Sequence, residues 1–117
     1  MKTKFIKGFL GYYSINNYGE IYSFRSKRVL KNTLDKTTGY YKICLYSRDK
    51  CKNFYIHRLL AEHFIHNPEN KPFINHKNGK RGDNRLSNLE WCTNSENQLH
   101  AYKLRLNTGR KGIKKKQ

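Results

Sequence analysis

Apolar and polar residues alternate in the first half of the chain and then change period. In "GYYKICLY" (39–46), Tyr41, Ile43 and Leu45 fall on one face of an extended segment and Lys42, Cys44 and Tyr46 on the other. That two-residue repeat marks a half-buried strand. Upstream, "GYYSI" and "EIYSF" flank "NNYG", where Asn17 and Gly19 suit the positive φ of a tight turn. Downstream, "SRDKCKN" reads as a polar turn into a short strand, "FYI" at 54–56. These segments predict a small antiparallel sheet with one buried face. In "IHRLLAEHFI" the repeat becomes helical. Ile56, Leu59, Leu60 and Phe64 share one stripe, and Pro68 in "HNPENKP" ends it.

The remaining pattern predicts a strand at 73–75, a long loop, and a short strand around Leu89–Trp91. A helix then runs to about Leu106, opened by a Thr93–Glu96 capping box. From 107 on, "NTGRKGIKKKQ" carries five basic residues and no acid, and reads as a flexible basic arm. The fold class is therefore α+β. A β-rich module over 1–53 precedes a helix and a strand–loop–strand–helix unit over 54–106, with a basic tail at 107–117.

Composition narrows the possible partners. A chain of 117 residues has room for one compact unit, or two small ones sharing a core. With 36% hydrophobic residues and nine tyrosines, that core is expected to be small and aromatic-rich. The net charge of +17 works against compaction, and a polyanion would relieve it. Nucleic acid is the first candidate, because neutralised phosphates release counterions and drive binding. The bland alternative is a basic protein with no such partner. No apolar run approaches the ~20 residues of a membrane span, and "MKTKFIKGFL" lacks a signal-peptide core. Neither a membrane nor a small-molecule cofactor is expected, and the location is expected to be cytoplasmic. Cys44, Cys51 and Cys92 form no C-x-x-C pair. They are expected to be reduced and structural, with no structural zinc.

The stretch "FINHKNGKRGDNRLSNLEWCT" (73–93) holds polar residues that packing does not explain. A strand–loop–strand–helix unit brings the end of its first strand near the start of its helix, so His76 and Asn97 can face one site. These residue types suit phosphodiester hydrolysis. An imidazole, with an ordinary pKa of about 6.5, serves as general base, and a divalent cation polarises the phosphate. Hard Mg²⁺ accepts amide oxygens, which Asn75 and Asn97 can supply; Mn²⁺ is a second choice. Asn88 would hold the loop and orient His76 through hydrogen bonds. Lys77, Lys80, Arg81 and Arg85 lie in the loop and would touch phosphates, positioning DNA without specifying its sequence.

The segment "INHKNGKRGDNRLSNLEWCTNSENQ" resembles the HNH nuclease motif of the ββα-metal fold, in the form carried by phage and intron-encoded homing endonucleases. In that resemblance His76 matches the first His, the general base, Asn88 the central Asn, and Asn97 the final metal-ligand position. "IHRLLAEHFIHNPENKP" is similar to the helix and turn that precede the motif. "IKGFLGYYSINNYGEIYSF" resembles a short module often fused ahead of such nucleases. Some relatives carry Asp before the His. Asn75 is neutral there, which implies weaker metal affinity rather than lost activity.

The resemblance implies a DNA endonuclease acting on double-stranded DNA. One site per chain implies a nick, and the monomer–dimer choice stays open. Relatives often add a C-terminal DNA-reading module, and a chain ending on a basic tail implies weak site specificity. The alternative is a non-catalytic DNA-binding protein on a degenerate HNH scaffold. Asp83 and Asn84 read as loop braces, Trp91 as core, and His57 as a cap or a packing residue between the two halves. His63, His66 and His100 read as surface or packing residues.

Overall fold

The computed structural model describes residues 1–47 and 50–107, with side chains as far as Lys103. Four short strands, β1 (Thr3–Phe5), β2 (Tyr13–Asn16), β3 (Ile21–Ser23) and β4 (Arg28–Leu30), form one antiparallel meander. A second sheet joins β5 (Thr33–Leu34), β6 (Tyr41–Ser47) and β7 (Lys50–Tyr55). Helix α1 (Ile56–Phe64) follows, then the ribbon of β8 (Phe73–His76) and β9 (Leu89–Cys92), and finally α2 (Asn94–Asn107). The α+β class and the change of period at Ile56 agree with the sequence. The single sheet expected for the first half is in fact two. The basic arm beyond Asn107 lies outside the described residues, and no helix among those described is long and apolar enough to cross a membrane.

Local chemistry explains where expectation and structure part. Gly19 takes φ +86°, but Asn17 does not share the left-handed region. The turn is organised instead by Asn16, whose Oδ1 accepts from the backbone N–H groups of Tyr18 and Glu20 at 2.9 and 3.0 Å, the Asx geometry that shapes a turn without strain. The polar run expected as a turn after Tyr46 is mostly strand, with Cys51 opposite Tyr46. Cys44 and Cys51 then lie on adjacent strands with Cα atoms 6.1 Å apart and are joined as a disulfide, a separation that a bridge spans readily. The expectation of three reduced cysteines is corrected accordingly. Cys92 alone stays free, and it is buried.

One core runs through both halves. Ile15 and Ile21 of the first sheet, Ile43 and Leu45 of the second, and Leu59 and Leu60 of α1 belong to a cluster that also takes in Ile74 and Leu89 of the ribbon. Helix α1 packs its apolar stripe on the second sheet and the ribbon, and Ile15 and Ile21 of the first sheet join the same cluster. The first sheet approaches it so closely that a Cβ on Gly19 would lie 3.2 Å from Ile56 Cγ2 and 3.3 Å from Leu60 Cδ1. His63 fastens the other end. Its Nδ1–H donates to Leu59 O at 2.8 Å while Nε2 accepts from Lys7 N at 3.2 Å. Trp91 packs half-buried against the core, its Nε1–H donating to Ile65 O at 3.1 Å.

Candidate active site

The loop between β8 and β9 is held from within by amides. Asn88 Oδ1 accepts from Asn78 N at 3.0 Å, and Asn88 Nδ2 donates to Asn78 Oδ1 and Asp83 O at 3.0 and 2.9 Å. Arg85 grips Asp83 with two bonds of 2.8 and 2.7 Å, and Asn78 Nδ2 donates to the same carboxylate at 2.7 Å. The Arg85 guanidinium, helped by Asn78, holds the Asp83 carboxyl well below the usual carboxylate range. Asn88 thus braces the loop as expected. The partner of His76 is a different residue.

His76 ends β8, is buried, and sets Nε2 2.9 Å from Asn84 Oδ1. The amide oxygen accepts from Nε2–H, which leaves the Nδ1 lone pair free. The ring lies stacked on Tyr40 at 5.7 Å between centroids and 5.1 Å from the ring of His57. Tyr40 in turn lies 4.5 Å from His57, and the Arg81 guanidinium sits 5.4 Å over the Tyr40 ring. His57 is 7% exposed and its Nδ1 has no partner among the described residues. Burial, with smaller pushes from His76 and Arg58, lowers its pKa to about 4, so it is neutral at pH 7. His57 is therefore a packing residue of this aromatic nest and not the helix cap, a position Tyr55 fills.

Successive strand residues project to opposite faces, so Asn75 looks the other way, toward α2. It is buried, and its Nδ2 donates to Oε2 of its cross-strand partner Glu90 at 2.8 Å. Helix α2 covers this face. It is started by the expected capping box, in which Glu96 N donates to Thr93 Oγ1 at 3.2 Å and Thr93 N to Glu96 Oε1 at 2.8 Å. A cleft of about 270 Å³ remains, lined by Asn75, Glu90, Glu96 and His100 among others. His100 Nε2 is buried there without a hydrogen bond among the described residues. Asn97 sits on the first turn of α2, half-buried, beside this row of side chains and not within it.

The structure thus places His76 and Asn75 next to each other in sequence but on two faces of one ribbon end. Lys77 and Lys80 are exposed on the loop. Arg81 and Arg85 are exposed too but engaged, Arg81 by Thr38 O at 2.7 Å and Arg85 by Asp83. No group of three His, Cys, Asp or Glu side chains able to hold a metal exists among the described residues. The amide oxygens of Asn75 and Asn97 are donors of the kind a hard, water-retaining ion such as Mg²⁺ accepts, but of the two only Asn75 lines the cleft. Sequence reasoning missed Tyr40 and Glu90, and it gave Asn84 no role at the imidazole.

A family model described as HNH endonuclease matches residues 54–99, and one described as the NUMOD4 motif matches residues 2–46. The chain carries an HNH endonuclease domain behind a NUMOD4 motif. Among curated relatives, DNA endonuclease I-HmuI of Bacillus phage SP01 is 41% identical over 102 residues, covering 85% of this chain and 58% of that protein. The H-N-H endonuclease F-TflII of Escherichia phage T5 is 32% identical over 89 residues, covering 74% of this chain and 46% of its own length. A solved structure, described as DNA binding and cleavage by the HNH homing endonuclease I-HmuI, superposes with a TM-score of 0.78 at 37% identity. It covers 93% of this chain and 60% of that one. This HNH chain spans less than two thirds of these relatives.

Proposed function

We propose that this chain is a metal-dependent endonuclease that cuts one strand of double-stranded DNA at each encounter. The observation that carries the reading is the state of His76, a buried imidazole at a strand end whose Nε2 is engaged by Asn84. With that nitrogen committed, Nδ1 is the basic atom. It takes a proton from water as the oxygen attacks phosphorus, the role of a positioned general base. Asn88 braces the loop that carries Asn84, and the Tyr40 ring stacks on the imidazole. Asn75 and Asn97 would hold a single divalent cation, Mg²⁺ by the hardness of their oxygens. When bound, the ion supplies charge stabilisation for the phosphate and the departing oxygen. Exposed Lys77 and Lys80 would touch flanking phosphates and make affinity salt-dependent. The scissile phosphate would sit at the end of the ribbon, where the imidazole on one face and the amide on the other are both within reach.

The test is nicking of supercoiled plasmid in Mg²⁺ or Mn²⁺, with and without chelator, for wild type and His76→Ala. The expected result is metal-dependent nicking that the substitution removes while a gel shift shows DNA binding intact. Binding without metal-dependent nicking by wild type would replace this reading with that of a DNA-binding protein on an inactive scaffold, for which neutral Asn75 is the supporting feature.

A further inference from the structure

We infer that Glu90 is a positioning residue of the cation site, fixing which end of the Asn75 amide faces the ion and supplying negative charge that Asn75 lacks. The inference rests on the reading of Asn75 as a ligand. A carboxamide has two ends of nearly equal size and opposite chemistry, an oxygen that binds a cation and an NH₂ that does not. Sterics alone do not choose between them. Glu90 does. It lies directly across the ribbon from Asn75, on the same face, and its Oε2 accepts from Asn75 Nδ2 at 2.8 Å. An ionised carboxylate can only accept, so this bond admits one orientation of the amide, with Oδ1 as the free end. Both residues line the cleft beneath α2, where Glu96, His100 and Lys103 face them from the helix and Lys71 Nζ binds the Glu96 carboxylate at 3.1 Å, leaving Glu90 as the carboxylate not taken by that lysine.

Charge gives the second half of the argument. Two neutral amides leave a divalent ion without a compensating charge, and ligand charge is a main determinant of such affinities. Where other sites would place an aspartate among the ligands, this ribbon sets its carboxylate one hydrogen bond behind the ligand. Groups that orient metal ligands in this way typically change affinity about 10–100-fold when removed.

The experiment measures Mn²⁺ binding by calorimetry and by the loss of the free-ion electron paramagnetic resonance signal. It uses the full chain bound to an uncleavable duplex, with a melt in chelator to show that each variant is folded. Glu90→Gln, which can present either amide end to Asn75, is expected to weaken Mn²⁺ about tenfold or more. Asn75→Asp/Glu90→Gln is expected to return to within about threefold of wild type, because an aspartate needs no orienting and carries its own charge. Wild-type affinity in Glu90→Gln, with affinity lost in Asn75→Ala, would overturn the role of Glu90 and leave Asn75 a ligand. A double variant as weak as Glu90→Gln would also overturn it, since Glu90 would then not act through Asn75. Wild-type affinity in Asn75→Ala, or no Mn²⁺ binding by wild type, would instead bring down the ligand reading itself.

Discussion

Removing the Asn84 amide should slow cutting while leaving DNA affinity nearly unchanged. In the resting site Asn84 Oδ1 lies 2.9 Å from His76 Nε2, and the bond does two things. It favours the tautomer with the proton on Nε2, which keeps the Nδ1 lone pair available. It also becomes a bond to a charged donor as the ring takes a proton. A neutral hydrogen bond is worth about 1 kcal/mol net and one to a charged group about 1.5–3 kcal/mol. The part realised only in the transition state is then about 0.5–2 kcal/mol, or roughly 2- to 30-fold in rate. Loss of the tautomer preference, again about 1 kcal/mol, lowers the fraction of competent rings by up to about twofold more. Asn84→Ala should therefore nick plasmid about 4- to 50-fold more slowly under single-turnover conditions at saturating protein. Its gel-shift Kd should stay within about twofold of wild type. Asn84→Asp retains an acceptor and should recover most of the rate. An Ala variant that cuts at the wild-type rate would refute the assignment of Nδ1 as the basic atom. Equal losses in Ala and Asp would refute it as well, because they would point to the loop and not to the acceptor.

Two further predictions concern stability. His57 is neutral in the fold, with a pKa down to about 4, and takes up a proton in the unfolded chain nearer its ordinary 6.5. The unfolded state therefore binds more protons between those values, and stability falls as pH drops through that window. Between pH 7 and pH 5 the loss is about 2 kcal/mol. Urea melts should show it in wild type, and His57→Phe should be flatter over the same range; an equal pH slope in the variant would count against it. Gly19→Ala forces a side chain into φ +86° and pushes a Cβ to 3.2 Å from Ile56 Cγ2. Left-handed strain of about 1–2 kcal/mol plus that squeeze should lower stability by about 2–3 kcal/mol. A 117-residue chain would show this as a fall in Tm of about 8 °C or more. A shift of a degree or two would mean the first sheet does not sit tightly on α1.

The elements that periodicity carries were legible. Ile56, Leu59 and Leu60 announce a helix by spacing alone, and Ile43 and Leu45 announce a strand. Thr93 and Glu96 announce the start of α2 because a capping box is a purely local device. Very short strands were not legible. Thr3–Phe5 and Arg28–Leu30 hold mostly exposed residues, so no alternation marks them, and pairing with β2 and β3 makes them strands. The disulfide was missed for a related reason. Cys51 was placed in a turn, and only its place in β7, opposite Tyr46, sets it near Cys44. His76, Asn88 and Asn97 were legible as polar residues at telling positions. The partners of His76 were not, because Tyr40 is far away in the chain and Asn84 resembles any loop asparagine until the loop is closed.

That closure depends on the N-terminal half. Arg81 reaches back to Thr38 O, and a Cβ on Gly39 would crowd its Cδ at 3.3 Å. One residue later, a Cβ on Gly82 would meet the Tyr41 ring at 3.2 Å. Between these two contacts Tyr40 lies on His76 and His57. The four residues 38–41, at the entry to β6, thus contact the loop, its guanidinium and the imidazole together. The internal bonds of Asn88 and Asp83 fix the shape of the loop, but they do not by themselves fix where it sits relative to His76. The Asn84 bond to His76 Nε2 and the contacts from residues 38–41 do that together. The β-rich module is therefore part of the site's architecture: it shares the core through Ile15, Ile21 and α1, and it supplies Tyr40, the aromatic wall on which the His76 ring is stacked.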